Sequence, residues 1–227
     1  MKLVGICPTY QRPNYLSNLL WCFQQQDYAD KHLLILDDAG QYYYQGDKDW
    51  VLHTERERYQ NLAQKYSVLC NVAMQAFGHC IIVVMEDDDI YLPNHFSNTA
   101  AAFTPGVDYV MPNVVGAVNY LEPGYSINTA TTNYHGAWAY DSKFYKKIGG
   151  YTYEHGAMHD NVIRDKMRHG RLQRTTELSY VYRCHDDHYQ GSKLNQVMTG
   201  DPTFIGFLNA KPDELTERMV SEWNRQK

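Results

Sequence analysis

Apolar residues along this chain follow two rhythms. Short unbroken runs occur at Leu3-Val4-Gly5-Ile6-Cys7, at Leu33-Leu34-Ile35-Leu36 and at Ile81-Ile82-Val83-Val84-Met85. Their length and β-branching predict strands buried on both faces. Between the runs the period becomes helical. Leu16, Leu19, Leu20 and Phe23 recur at i, i+3, i+4 and i+7 and predict a helix from about Asn14. A longer pattern from Glu55 to Phe77 sets Leu62, Tyr66, Leu69, Ala73 and Ala76 on one face, with Gly78 placed to close it. Pro8 is expected to stop the first strand. Strand–helix–strand–helix–strand implies right-handed crossovers and a parallel sheet, hence an α/β, Rossmann-like fold.

The second half has a different texture. Val107–Met111 reads as a further strand, and Val114–Tyr120 and Tyr125–Ile127 flank the turn signal Glu122-Pro123-Gly124. Ala137–Tyr140 predicts a strand leading into a short helix capped by Asp141 and ended by Gly149-Gly150. A helix from about Asp160 to Gly170, a strand over Leu178–Tyr182 and a last helix opened by Pro212-Asp213-Glu214 complete the pattern. The last helix turns Leu215, Met219, Val220 and Trp223 inward. The length fits one domain, 1–227, with a mainly parallel half over about 1–106, a small antiparallel half over about 107–190, and a tail and helix over 191–227.

Ligands of open parallel sheets bind beyond the carboxyl ends of the strands. Here three such ends carry Pro8-Thr9-Tyr10, Asp37-Asp38 and Glu86-Asp87-Asp88-Asp89. The last block is the most demanding. Adjacent carboxylates at the end of a buried strand repel and raise one another's pKa. A hard divalent ion, Mg²⁺ or Mn²⁺, removes that cost and bridges to phosphate. A solvated acidic loop is the competing reading.

Composition refines this picture. Twenty Tyr stand against seven Phe, so many rings bring a hydroxyl into half-buried places. The net charge of −5 argues against a surface that coats nucleic acid. It hides a gradient: residues 1–100 carry −5 and residues 143–174 carry +5, a patch suited to an anionic acceptor or to phosphate. Cys7, Cys22, Cys70 and Cys80 sit among apolar neighbours and read as buried thiols of a reducing compartment. No signal-peptide pattern or membrane-length apolar stretch is present, so the expected location is the cytoplasm, bacterial or of a phage-infected host.

The ordered set Cys7-Pro8-Thr9-Tyr10-Gln11-Arg12-Pro13, Ile35-Leu36-Asp37-Asp38-Ala39-Gly40 and Glu86-Asp87-Asp88-Asp89-Ile90-Tyr91-Leu92-Pro93 resembles family 2 glycosyltransferases of the GT-A fold. Gly136-Ala137-Trp138-Ala139, Ile148-Gly149-Gly150-Tyr151 and His159-Asp160-Asn161 extend the resemblance over roughly residues 2–190. It implies that Pro8, Thr9, Tyr10, Arg12, Asp37, Asp38, Lys65, Asp87 and Asp88 bind a nucleoside-diphosphate sugar, a UDP-sugar foremost. Asp38 would take the base edge, and Arg12 or Lys65 the phosphates. The acidic block matches the DXD-type motif, which implies Asp88 and Asp89 as metal ligands. A late histidine of such enzymes implies His188, with His185 beside it, as a further ligand. The acid pair near the acceptor reads His159-Asp160 here, where the family has Glu-Asp. Asp160 matches the catalytic base. His135, Gly136, Trp138 and His159 fall at the acceptor pocket. Competing structural readings are turn formation for Asp37 and Asp38, core packing for Trp138 and helix-terminal stabilisation for Asp160.

The expectation is an inverting, Mn²⁺- or Mg²⁺-dependent hexosyl- or pentosyltransferase. Its acceptor is a glycan, a glycolipid or a hydroxymethylated base in phage DNA. A nucleotidyltransferase using the same sheet and metal logic, and a non-catalytic nucleotide-sugar or nucleic-acid binding module, are the alternatives.

Overall fold

A computed structural model of the chain describes residues 1–119, 124–129, 134–152, 159–184 and 204–226. The first half runs β1 (Leu3–Thr9), α1 (Pro13–Gln24), β2 (Lys31–Asp37), β3 (Gln45–Gly46), β4 (Trp50–Thr54), α2 (Leu62–Phe77) and β5 (Ile81–Val84). It continues through β6 (Ile90–Tyr91), α3 (His95–Ala102), β7 (Tyr109–Pro112), β8 (Val114–Asn119) and β9 (Gly124–Thr129). β10 (Ala139–Asp141), α4 (Ser142–Lys147), α5 (His159–Met167), β11 (Leu172–Thr175), β12 (Tyr180–Cys184) and α6 (Glu214–Arg225) follow.

Eight strands form one sheet in the order β11-β7-β10-β5-β1-β2-β4-β3. Its centre is parallel: β1 pairs with β2 and β5, and β2 with β4. The alternation of β1, β2 and β5 explains their unbroken apolar runs. Leu3, Leu33, Ile35, Ile81 and Val83 face one core with Leu16, Leu19, Leu20 and Phe23 of α1 and Met219 and Val220 of α6. Val4, Ile6, Leu34, Leu36, Ile82 and Val84 face the other with Ala63, Tyr66, Leu69 and Ala73 of α2 and Ile163 and Met167 of α5. A strand covered on both faces needs apolar residues at every position.

A second sheet, β6-β12-β8-β9, lies in the latter half. β8 and β9 pair antiparallel, as their hairpin pattern predicts, but β12 runs parallel to β8 and β11 parallel to β7. That half is therefore mixed. Residues 120–123, which carry the expected turn, lie outside the described residues.

Several boundaries differ from expectation for physical reasons. β1 continues through Pro8 to Thr9. Beyond Ile6 it pairs only with β2, so a residue without an N–H is tolerated there. α2 begins at Leu62, where the Asn61 side chain accepts from the Gln64 N–H. The preceding stretch leaves β4, and Glu55 N–H bonds to Asp37 O at 2.7 Å. Ala76 is exposed, so the buried face ends with Ala73. The Asp141 cap and the Gly149-Gly150 stop of α4 are as predicted, with both glycines at positive φ. Arg183 of β12 is fully buried and holds α6 through Asp213, at 2.5 Å, and Thr216.

Candidate functional site

The parallel pairing brings the ends of β1, β2 and β5 to one edge of the sheet. Thr9 closes β1, and its Oγ1 donates to Asp87 Oδ2 at 2.6 Å. Gln11 then takes φ 54°, a left-handed conformation that side chains seldom adopt. That turn aims Arg12 at the acidic block. Its Nη1 lies 3.1 Å from Asp87 Oδ1 and 2.7 Å from Asp88 Oδ2. From the first turn of α2, Lys65 Nζ reaches Thr9 O at 2.5 Å and Asp38 Oδ1 at 2.6 Å. Asp38 Oδ2 also accepts from the Tyr59 N–H at 3.0 Å. Three strand ends are thus tied together by two cations.

Asp37 and Asp38 divide the work. Asp37 is fully buried and accepts from Ala39 N–H, Gln41 N–H and Thr54 Oγ1 at 3.0, 3.1 and 2.9 Å. It shapes its own loop, the turn-forming reading. Asp38 faces Lys65 and the edge of the sheet. Pro8 is buried inside β1 and gives the site backbone only. Tyr10 is partly exposed, with the Arg58 guanidinium carbon 4.1 Å from its ring centroid.

The acidic turn is short of positive charge. Burial pushes the Asp87 carboxyl upward, against the pull of Arg12. Burial, then Asp88 and Glu86, push Asp89 well above the usual carboxylate range. Ligand oxygens of Glu86, Asp88 and Asp89 all lie within 4.8 Å of one another. The two buried members of this set, Asp88 and Asp89, suit a hard divalent cation, which would offset the repulsion. Asp89 is held by the Tyr180 hydroxyl at 2.5 Å and by Arg183 N–H at 3.1 Å. Gly136 passes so close that a Cβ there would meet Asp89 Oδ2 at 2.8 Å. The Tyr91 hydroxyl accepts from Glu86 N–H at 2.6 Å and donates to Gly136 O at 2.9 Å, locking this turn to the acidic one.

Beyond Glu86 the partners are rings. Glu86 Oε1 is 3.1 Å from the Tyr66 hydroxyl and 2.9 Å from His135 Nδ1. His135 Nε2 is 2.7 Å from the Tyr151 hydroxyl, which is 3.0 Å from that of Tyr140. His159 stacks on Tyr66 with centroids 5.4 Å apart and meets His135 edge-on at 5.1 Å. Burial, then His135, lower the His159 pKa to about 4, so the ring is neutral near pH 7. Trp138 is 1% exposed and packs in the core with its ring edge-on to His135. This burial is the core packing that competes with a stacking role for Trp138.

Asp160 stands in the first turn of α5, next to His159, and its Oδ1 accepts from Asn161 N–H at 2.9 Å. Among the described residues no hydrogen bond or ion pair joins it to the acidic turn. His185 and His188 lie outside the described residues. In the basic stretch, Arg164, Lys166, Arg171 and Arg174 bond to Asn161 Oδ1, Gly150 O, Pro105 O and Pro112 O. These local acceptors are neutral, so they orient the four cations without cancelling their charge.

Sequence reasoning named Glu86 only as one of the four carboxylates of the acidic block, and assigned no site role to Tyr66, Tyr91, Tyr151 and Tyr180, whose hydroxyls organise the carboxylates. The excess of Tyr over Phe was the available signal.

No protein-family model matches the sequence, and no curated protein matches it either. Solved structures do match. TarS 1–349 of S. aureus in complex with UDP-GlcNAc superimposes with a TM-score of 0.64 at 14% identity, over 85% of this chain and 61% of that one. The same protein in complex with UDP gives 0.61 at 16% identity, over 100% and 71%. The mannosyltransferase PcManGT from Pyrobaculum calidifontis, in complex with GDP-Man and Mn²⁺, gives 0.59 at 16% identity, over 83% and 58%. The chain thus spans about three fifths of the length of TarS 1–349 and of PcManGT in two of these comparisons. No helix among the described residues is long and apolar enough to cross a membrane. With its mainly parallel sheet and its acidic turn at the carboxyl ends of the strands, the chain has the GT-A fold of glycosyltransferases.

Proposed function

We propose that this protein is an inverting, divalent-metal-dependent glycosyltransferase that moves a sugar from a nucleoside-diphosphate sugar to an acceptor hydroxyl. The observation that carries the reading is the joining of Thr9, Arg12, Asp38, Lys65, Asp87 and Asp88 into one network at three strand ends. Complexes of similar folds with UDP-GlcNAc and with GDP-Man and Mn²⁺ support it.

Residues 1–106 form the donor half. Asp38, backed by Lys65, takes the base edge, with Thr9 and Tyr10 beside it. Arg12, whose charge two carboxylates stabilise, turns to the diphosphate. Asp88 and Asp89, with His188 as a nitrogen donor, hold Mn²⁺ or Mg²⁺, which supplies positive charge against the leaving diphosphate. His135, Gly136 and His159 border the acceptor side. Asp160 takes the acceptor's proton as its oxygen attacks the anomeric carbon from the face opposite the diphosphate. The acceptor is a glycan or glycolipid. The positive stretch 143–174 keeps hydroxymethylated DNA as a second class.

Incubation with UDP- and GDP-sugars, Mn²⁺ and a panel of acceptors tests the reading. Release of nucleoside diphosphate together with a β-configured product from an α-configured donor is expected. Release of pyrophosphate from a sugar phosphate and a nucleoside triphosphate would make it a nucleotidyltransferase. Nucleotide-sugar binding without turnover of any donor would make it a binding module.

A further inference from the structure

Within the acidic turn, Glu86 uses its two oxygens differently. Asp87 and Asp89 each have both oxygens engaged. Glu86 accepts twice on Oε1, from Tyr66 and from His135 Nδ1, and no donor among the described residues reaches Oε2. Its side chain is 29% exposed, against 4% for Asp87 and 7% for Asp88. One end of this carboxylate is clamped and the other is presented.

The clamp is built in depth. A carboxylate only accepts, so His135 Nδ1 carries a proton. On the far side of the ring Nε2 lies 2.7 Å from the Tyr151 hydroxyl, and Tyr140 backs Tyr151. Tyr66, His135 and Tyr151 also pack ring against ring. The carboxylate plane is fixed before any ligand arrives, which lowers the ordering cost of binding. The position is also informative. Glu86 lies within 4.8 Å of ligand oxygens of Asp88 and Asp89 on one side. On the other side its clamp includes Tyr66 and His135, against which His159 packs, one residue before Asp160. In the glycosyltransferase reading, on which this inference rests, the transferred sugar sits between the diphosphate and the base.

We propose that Glu86 is the specificity-determining residue for the transferred sugar, its Oε2 accepting hydrogen bonds from one or two hydroxyls of the sugar ring. A clamped acceptor discriminates sharply. A donor lacking the matching hydroxyl leaves a desolvated oxygen without a partner. His135, Tyr66 and Tyr151 are positioning residues for it.

The test compares wild type, Glu86→Gln and Tyr151→Phe by calorimetry against UDP, GDP and their hexose and deoxyhexose conjugates with Mn²⁺. Mn²⁺ affinity alone is read by electron paramagnetic resonance. In Glu86→Gln, Mn²⁺ and nucleoside-diphosphate affinities should stay within about twofold, while the affinity added by the sugar falls on the order of tenfold or more. Discrimination against the deoxy donor should fall with it. Tyr151→Phe should shift the same ratio less. A joint loss of Mn²⁺ and nucleoside-diphosphate affinity would make Glu86 a cation ligand and overturn the proposal. An unchanged sugar increment, or a wild-type protein that gains nothing from the sugar, overturns it also and leaves the glycosyltransferase reading standing. Wild-type protein that binds no nucleoside diphosphate sinks the reading itself.

Discussion

At the ends of β1, β2 and β5 the buried polar groups are charged and are answered by charges. Around the start of α5 they are rings, and their hydroxyls and nitrogens answer one another. The first region holds Asp38 with Lys65, and Asp87 and Asp88 with Arg12, each pair within 3.1 Å. The second holds His135, Tyr151 and Tyr140 in a chain of ring groups that meets a carboxylate at Glu86. The two need different things from a partner. A charge network that is acid-rich and buried calls for a cation and a ligand with phosphate. A ring cluster offers flat surfaces and directional hydrogen-bonding groups, which suit a polyhydroxylated ring. Glu86 is the hinge between them.

The strongest way to break this comparison is at Asp160. If α5 serves the acceptor alone, Asp160→Asn should lower kcat by ~10²–10⁴-fold, the usual share of a general base, and leave nucleotide affinity intact. Steady-state kinetics beside calorimetry checks it. A lower melting temperature with near-normal specific activity would show that Asp160 only stabilises its helix, and Asp165 or Glu154 would be the next candidates for the base.

Next in size is Lys65→Met. It strands the buried Asp38, and breaking a buried pair on one side costs about 3–5 kcal/mol. Chemical denaturation should show that loss. A loss under about 1 kcal/mol would mean that Asp38 finds another partner and that the strand-end network is less tightly coupled than described.

Tyr180→Phe sharpens the contrast from the ring side. It removes the hydroxyl that orients Asp89, and outer partners of this kind are worth about 10–100-fold in metal affinity. Mn²⁺ titration reads the change. Unaltered affinity would remove Asp89 from the cation site.

The smallest effect expected is one of pH. The His159 pKa is lowered to about 4 and that of His95 to about 3, both chiefly by burial. Between those values and about 6.5, the unfolded chain binds protons that the folded chain refuses. Stability should therefore fall as pH drops from about 6.5 toward 4, and His159→Phe should flatten that slope by roughly 1–3 kcal/mol across the window. Denaturation midpoints at pH 7, 5.5 and 4.5 measure it. An equal slope in the variant would mean that His159 takes up its proton when folded, and the ring cluster would not be neutral.

The charged region was far more legible in the sequence than the ring cluster. Like charges at the end of an apolar run carry a cost that can be read without coordinates, so Asp87, Asp88 and Asp89 announced themselves. The runs of β1, β2 and β5 were legible because strands buried on both faces leave no ambiguity of period. β4 was not, since its residues are partly exposed and the charged stretch after it, Glu55-Arg56-Glu57-Arg58, has helix-forming side chains. Pairing with β2 won over local propensity there. Asp37 and Asp38 looked equivalent, and only the folded loop shows which one is consumed by its own backbone. Tyr66 read as a helix-face residue, which it is, and Tyr151 only as the end of the Ile148-Gly149-Gly150-Tyr151 match. Their hydroxyl work depends on contacts 11 to 20 residues away in the chain, which periodicity does not report.

The central claim is that the three strand ends form one site for a nucleoside diphosphate and a divalent cation together. Calorimetric titration of UDP and GDP, each with Mn²⁺ and again with EDTA, tests it most directly. If cation and diphosphate share the same carboxylate edge, each should strengthen the other's binding, with a coupling on the order of tenfold or more. One nucleotide should bind with stoichiometry near one, and Asp88→Asn should abolish the coupling. Equal affinity with and without Mn²⁺, or no binding of either nucleotide, would contradict the account.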